Sequence, residues 1–149
     1  MTFKQKVHSQ YFVLLQDKID VFRDRITALT EDSKNDAKGS AGDKHETALS
    51  MMHIEQEKAN HKLKEFLDQK AIFDRIDASA KHVKVAVGSL VVVNEIWLYV
   101  STALPKQEVE EKTIFAISPQ SPLGSGIMGK EAGFIFELNG KKYTVKEVY

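Results

Sequence analysis

Cysteine is absent from this chain of 149 residues, proline occurs only three times, and neither sign of charge predominates. Without cysteine there is no disulfide framework, no thiol nucleophile and no thiolate metal ligand, which is compatible with a reducing compartment such as the cytoplasm. The 21 basic and 21 acidic residues balance, and no overall basic field favours direct binding to nucleic acid. The most apolar stretch, residues 83–100, is interrupted by Lys84, Asn94 and Glu95, so no membrane span is expected.

Two long segments carry apolar residues at alternating steps of three and four, a pattern typical of a coiled-coil seam. The first runs from Phe3 to about Leu29 and includes Phe12, Leu15, Ile19, Phe22, Ile26 and Leu29. The second runs from Asp43 to about Ile76 and includes Leu49, Met52, Ala59, Leu63, Phe66 and Phe73. Residues 30–42 are polar and predict a solvated turn. Because neither segment can bury its stripe alone, we expect an antiparallel helical hairpin, roughly 45 Å long.

After this hairpin the pattern changes to short runs rich in Val, Ile, Trp and Tyr, which are typical of strands. Strands are predicted at residues 83–87, 90–93, 96–100, 113–117, 134–138 and 141–148. Residues 105–112 are predicted to form a charged loop, and residues 123–128 a short helix. Asn139-Gly140 is a strong signal for a tight β-hairpin turn.

These patterns predict an α+β protein. The helical hairpin would occupy residues 1–77, and a small, mostly antiparallel β domain with one short helix would occupy residues 78–149. Trp97 and Tyr99 are two residues apart, so we expect them on one face of the sheet, packed in its core.

Two further motifs suggest binding sites, and the sequence argues against both. Residues 124–129 match G-x-G-x-x-G, but a dinucleotide fold needs a βαβ unit, whereas an antiparallel hairpin is predicted here. His53, Glu57 and His61 follow one another at four-residue steps, so a His-Glu-His metal site is conceivable. It lacks the pair of histidines at i and i+4 that makes zinc sites recognisable. Turn glycines and solvated histidines are the simpler interpretations.

The connection between the two long segments, residues 40–46, is the most informative stretch. Asp43 and Glu46 stand three residues apart at the expected start of the second helix. They could form a capping box, in which Asp43 accepts from the backbone and Glu46 reaches back. Alternatively, Ser40 caps one turn earlier and leaves both carboxylates free. Two carboxylates at the tip of the hairpin could then complete the coordination of Mg²⁺, which takes few protein oxygens together with water and phosphate.

Over most of its length the chain resembles the GreA/GreB family, the bacterial transcript-cleavage factors of RNA polymerase. Gly42-Asp43-Lys44-His45-Glu46 is similar to the family's Gly-Asp-x-x-Glu at the hairpin tip. Ser121-Pro122 within residues 117–124, followed by Gly129-Lys130-Glu131-Ala132-Gly133, resembles the family's Ser-Pro and Gly-Lys-x-x-Gly signature. In the family this signature closes an FKBP-like domain, so the resemblance implies an FKBP-like β domain here.

The resemblance implies a cytoplasmic transcription elongation factor that binds RNA polymerase at its secondary channel and stimulates the polymerase's own cleavage of backtracked RNA. It would be an accessory factor and not an enzyme. Asp43 and Glu46 would help to hold a Mg²⁺ that is shared with the polymerase and bound only in that complex. Gln120, Ser121 and Pro122 would match the polymerase-binding loop. Nascent RNA and DNA would be met only through the polymerase, and we expect a monomer.

Two alternatives remain open. The residues after Glu46 are Thr47-Ala48-Leu49-Ser50, whereas the family usually continues with Asn and then Tyr, which favours a non-cleaving regulator or inhibitor that binds the same channel. The other alternative is a binding module unrelated to polymerase, a coiled coil joined to a small β domain. It would be supported if the motifs above are only a capping box, turn glycines and solvated histidines.

Overall fold

The structure is a computed structural model that describes residues 1–37 and 43–149, without the side chains of residues 35–37 and 43–45. Contacts divide the chain into two compact units. The sheet unit comprises Met1–Phe12 and Ala71–Tyr149, and the helical unit comprises Val13–Lys70. The division into domains 1–77 and 78–149 stays a prediction. Ser40, Gly42 and the side chains of Asp43 and His45, all named in the sequence analysis, lie outside the described part.

Two long helices, α1 at Phe3–Ala37 and α2 at Asp43–Arg75, account for the predicted helical segments. Helix α2 begins at the predicted residue and ends one residue before the predicted end. The predicted end of α1 near Leu29 is wrong, because the helix continues to Ala37 and takes in most of the predicted turn. Ser33 is half-buried one turn beyond Leu29, so the inward-facing stripe continues, and each added residue closes another backbone hydrogen bond.

Within the helical unit the two helices run antiparallel. The rings of Phe22 and Phe66 lie 5.5 Å apart, and further along α1 the Gln56 side-chain amide donates to the Thr30 hydroxyl at 3.2 Å. Residues later in α1 therefore contact residues earlier in α2. Among the described residues of this unit, three apolar side chains are buried: Leu15, Ile19 and Ala59. The rest of the predicted seam in this unit is half-buried: Phe22, Ile26, Leu29, Leu49, Met52, Leu63 and Phe66.

The sheet unit contains a six-stranded sheet with the order β3-β4-β2-β1-β6-β5. The strands are β1 Leu90–Val93, β2 Ile96–Val100, β3 Leu104–Val109, β4 Lys112–Ile117, β5 Ile135–Leu138 and β6 Lys141–Val148. A short helix, α3 at Pro122–Ile127, lies between β4 and β5 in the chain. Neighbouring strands are antiparallel except β2 and β4, which are parallel. The predicted α+β class, with a mostly antiparallel sheet and one short helix, is confirmed.

Two predictions for this unit are wrong. Residues 83–87 are not a strand, because Val85 alone exchanges backbone hydrogen bonds with the segment at Gly129 and Lys130, and Val83 and Val87 are exposed. The predicted charged loop at residues 105–112 is largely strand β3. This strand lies at the edge of the sheet, where polar residues face water and a proline such as Pro105 is tolerated.

The predicted hairpin turn at Asn139-Gly140 is confirmed. Both residues have positive φ, at 53° and 78°, as a two-residue type I′ turn requires. The flanking strands β5 and β6 pair with Leu138 opposite Lys141. Backbone conformation at these two residues therefore sets the register of the sheet's last two strands.

The two faces of strand β2 bury different partners. On one face, Leu98 and Val100 belong to a core cluster that includes Ile127 of α3. On the other face, Tyr99 is fully buried and packs against Tyr11 of α1 and Phe73 of α2. Tyr99 thus meets the prediction of a core position, whereas Trp97 on the same face is only half-buried.

Candidate functional site

The two acids singled out in the sequence lie in the first turn of α2. The helix begins at Asp43, so Glu46 is three residues into it. Glu46 is exposed and has no ion pair or hydrogen bond with any residue whose side chain the structure describes. Negative charge in the first turn of a helix interacts favourably with the helix dipole, so these positions also stabilise the helix itself.

The donor chemistry of this turn fits a partial shell for a hard cation. Mg²⁺ binds carboxylate oxygens and keeps several water ligands, and Glu46 offers such an oxygen to solvent. Among the described residues, no group of three or more potential metal ligands occurs. Of the two acids in this turn, Glu46 is the one whose side chain the structure describes, so a metal ion bound to it would need further ligands.

The predicted polymerase-binding loop, Gln120-Ser121-Pro122, forms the start of α3. Ser121 is the N-cap: its Oγ accepts a hydrogen bond from the Gly124 amide at 3.0 Å and donates to the Ser118 carbonyl at 2.7 Å. Pro122 follows at the first helical position, where its lack of an N–H costs nothing. Ser121 and Pro122 therefore stabilise the start of α3, independently of any partner.

Gln120 differs from its two neighbours in this loop. Its side chain is exposed, and its Oε1 accepts from the Ser118 hydroxyl at 2.6 Å. The backbone N–H of Gln120 in turn donates to that hydroxyl at 3.1 Å. Both bonds lie within a three-residue turn, so Gln120 is the residue of the loop that offers a side chain to a partner at the least cost to the fold.

The glycines of the G-x-G-x-x-G match have packing roles. A Cβ at Gly124 would lie 2.1 Å from the Ser118 carbonyl oxygen, and one at Gly126 would lie 3.1 Å from the Phe136 ring. Gly129 has a φ of +75°, which glycine adopts readily. Close approach and backbone conformation thus explain these glycines without a nucleotide.

A cleft of about 700 Å³ lies beside the loop, and sequence reasoning did not anticipate it. Ser118, Pro119 and Gln120 line one part, and residues of the end of α2 and the segment after it line another, among them Arg75 and Asp77. Hydrogen bonds from the side chain and backbone of Ser79 lower the pKa of Asp77. The cleft joins segments about 45 residues apart in the chain, which no local motif reveals.

The conceivable His53-Glu57-His61 site is not formed. His61 lies 3.3 Å from Glu65, and His53 and Glu57 are exposed. Two other histidines are in structured surroundings. His8 shares a 2.7 Å hydrogen bond with the Tyr99 hydroxyl, and His82 shares one of 2.8 Å with the Ser89 hydroxyl. Burial lowers the pKa of both histidines. The charge of Lys4 adds to this effect, whereas the charge of Asp74 opposes it at His8 and a hydrogen bond with the Tyr149 backbone opposes it at His82.

Comparison with solved structures gives a structural likeness. A solved structure of the transcription factor Gfh1 matches with a TM-score of 0.36 and 16% sequence identity, covering 93% of this chain and 92% of that one. At this score and identity the likeness does not establish a family. No family model and no curated protein matches the chain. None of the helices in the described residues is long and apolar enough to cross a bilayer.

Proposed function

We propose that this protein is a Gre-type transcription factor that binds RNA polymerase at the secondary channel and stimulates cleavage of backtracked RNA. The observation that carries the proposal is the position of Glu46. It is an exposed acid in the first turn of a 33-residue helix that begins at Asp43, within a sequence that resembles the Gly-Asp-x-x-Glu tip of the GreA/GreB family. The α+β architecture supports it, since the resemblance implied a helical pair followed by a small β domain with one short helix.

In this proposal the chain supplies positioning groups rather than a complete active site. Asp43 and Glu46 add negative charge beside the polymerase's own acids and share one Mg²⁺ with them. When bound there, the ion supplies activation of the attacking water for phosphodiester hydrolysis. A rigid helix holds the Glu46 carboxylate at a defined point, which lowers the entropic cost of assembling the shared site. Gln120, together with Ser121 and Pro122, contacts the polymerase at the rim of the channel.

A second candidate is a regulator that binds the same channel without stimulating cleavage. Two observations favour it: Thr47-Ala48-Leu49-Ser50 follows Glu46 where the family has Asn and then Tyr, and α1 extends to Ala37. The charged residues Asp32 and Lys34 are therefore carried on a helix. Such a protein would occupy the channel and change initiation or elongation without adding to hydrolysis.

The test is RNA cleavage in purified, backtracked elongation complexes of the source organism's polymerase. Wild-type protein should accelerate cleavage, and the double variant Asp43→Asn with Glu46→Gln should abolish the acceleration while still binding. The matched control is Glu57→Gln with Asp68→Asn, which removes the same two charges from exposed positions elsewhere on α2 and should cleave like wild type.

Three results separate the candidates. Acceleration that the tip variant loses and the control keeps supports shared positioning of the ion. Binding without acceleration supports the regulator. Acceleration that survives in the tip variant contradicts the role given to Asp43 and Glu46.

A further inference from the structure

A second cavity in the sheet unit has the features of a small-molecule site, and it adjoins the cleft beside Gln120, because Ala80 and His82 line both. It measures about 590 Å³, within the range of ligand pockets. It opens between the first residues of α1, the segment at residues 78–83, and the ends of β1, β2, β4 and β6. Its surface is mostly apolar. We call it the aromatic pocket, after the three rings that line it: Phe3, Trp97 and Tyr149.

The three rings form flat walls. Trp97 and Tyr149 are nearly parallel, with an interplanar angle of 9° and centroids 6.2 Å apart. Phe3 meets Trp97 edge to face at 5.3 Å. Tyr149 is 43% exposed, so part of this aromatic surface is open to a solute. Aromatic walls of this kind favour a planar ring, which stacks on them with an attraction beyond the burial of its area.

The charged side chains that line the aromatic pocket have a single sign. Lys4, Lys81 and Lys112 line it together with His82, and no aspartate or glutamate of the described residues does. The Lys112 ammonium lies 4.7 Å from the centre of the Phe3 ring and 4.9 Å from that of Trp97. Neither Lys4 nor Lys112 forms an ion pair with a carboxylate of the described side chains. In a chain with no net charge, this local excess of positive charge favours an anion.

Lys4 is the most unusual of these cations, because only 6% of its surface is exposed. Its ammonium donates to the Ala80 carbonyl at 2.6 Å and lies 3.4 Å from Nδ1 of His82. Burial lowers the pKa of Lys4, and the charge of Asp77, which lines the other cleft, opposes this. A lysine buried without a paired carboxylate is costly, and an anion in the pocket would offset that cost.

We propose that the aromatic pocket binds a small planar aromatic molecule that carries a phosphate or a carboxylate group. The ring lies against Trp97 and Tyr149, and the anionic group faces Lys4 and Lys112. This site is separate from Asp43, Glu46 and Gln120, so the inference does not depend on polymerase binding.

Calorimetric titration of the full chain tests the proposal, with four probes in matched pairs. Adenosine monophosphate and benzoate are the anionic aromatic probes, and adenosine and benzyl alcohol are their neutral counterparts. Trp97 is the only tryptophan, so quenching of its fluorescence locates binding in this pocket. We expect saturable binding of at least one anion and no measurable binding of its neutral partner. Whichever anion binds more tightly identifies the phosphate or carboxylate class.

Variants then test the geometry. Lys112→Gln removes an exposed charge and should weaken binding about tenfold, the usual size of one charge-assisted contact. Lys4→Met keeps the buried stem and should have a similar effect. The matched control is Lys141→Gln, because Lys141 also lies over an aromatic ring, 5.3 Å from the centre of Tyr143, but does not line the pocket. It should bind like wild type.

Each other outcome overturns the proposal. Equal binding of an anion and its neutral partner would remove the role of the lysines. Equal weakening by Lys112→Gln and Lys141→Gln would show a general effect of surface charge. Absence of saturable binding of both anions at millimolar concentration would show that the pocket is not a site for this class of molecule.

Discussion

The sheet unit and the helical unit differ in how completely they bury their apolar residues. In the sheet unit, sixteen apolar side chains of the described residues are buried, on both faces of the sheet. Among the helical unit's described side chains, Leu15, Ile19 and Ala59 are the apolar ones that are buried. Within the helical unit each helix is covered by the other along one stripe, whereas a sheet covered on both faces encloses a core. Stability is therefore expected to concentrate in the sheet unit.

The helical unit also exposes large apolar side chains outside its seam. Val13, Val21, Met51 and Ile54 each expose more than half of their surface. Its seam contains the polar pair Gln56 and Thr30, where an apolar pair would bury more area. The alternating three-four pattern therefore predicts which face of a helix turns inward, but the number of elements that cover that face decides how deeply each residue is buried.

The largest expected effect is the loss of a core leucine from the sheet unit. Leu98→Ala should lower the free energy of unfolding by about 3 kcal/mol, because it leaves a cavity in a closely packed core. Leu67→Ala in the helical unit, where the side chain is 37% exposed, should cost less than about 1 kcal/mol. Urea unfolding followed by Trp97 fluorescence and by circular dichroism measures both. Equal losses would contradict the comparison.

The next effect concerns the close approach at α3. Gly124→Ala should cost about 2 kcal/mol, because the new Cβ would lie 2.1 Å from the Ser118 carbonyl oxygen. Gly126→Ala in the same short helix is the matched control. There the tight contact with the Phe136 ring is offset by the helix propensity of alanine, which exceeds that of glycine by about 1 kcal/mol. Thermal unfolding that ranks the two variants in the opposite order would disprove this account of the glycines.

A smaller effect is expected in the helical unit, and it has the opposite sign. Thr30→Val with Gln56→Leu replaces both members of the polar pair in the seam and should raise the free energy of unfolding by up to about 1 kcal/mol. Asn60→Leu, an amide-to-leucine change at an exposed position of α2, should bring no gain. Denaturation curves followed by circular dichroism measure both variants, and a loss of stability in the double variant would mean that the polar pair stabilises the seam.

The smallest effect is a dependence on pH that arises in the sheet unit. Burial lowers the pKa of His8 below its ordinary value of 6.5, so below that pH the unfolded chain binds more protons than the folded one. Stability should be full above about pH 6.5 and should fall as the pH drops further, and His82 acts in the same direction. His8→Gln should reduce this loss, measured as the unfolding midpoint across a pH series. The exposed His53→Gln is the control, and an equal reduction in both variants would contradict the prediction.

Periodicity predicted the fold well where burial and sequence pattern coincide. The strands β1, β2 and β6 have the predicted bounds, and α2 begins at the predicted Asp43. Strand β3 was missed because an edge strand pairs on one side only and tolerates polar residues. The strand predicted at residues 83–87 is wrong because the prediction relies on the high strand propensity of valine, which tertiary pairing overrides.

The candidate site was predictable only in part. The residue types at the start of the second helix predict that Asp43 and Glu46 lie in one turn, because the two residues are close together in sequence. The capping role of Ser121 depends on the Ser118 carbonyl and the Gly124 amide, which only the folded turn brings together. The cleft beside Gln120 and the aromatic pocket each join distant segments, and no local pattern encodes such a meeting.

The most direct test of the central proposal is the affinity of this protein for core RNA polymerase from its source organism. We expect saturable binding that Gln120→Arg weakens severalfold or more, while α3 stays folded because Ser121 and Pro122 are unchanged. Gln5→Arg, the same substitution on α1 in the same unit, should bind like wild type. Absence of binding by the wild-type protein would contradict both the cleavage factor and the regulator, and would leave a binding module with a different partner.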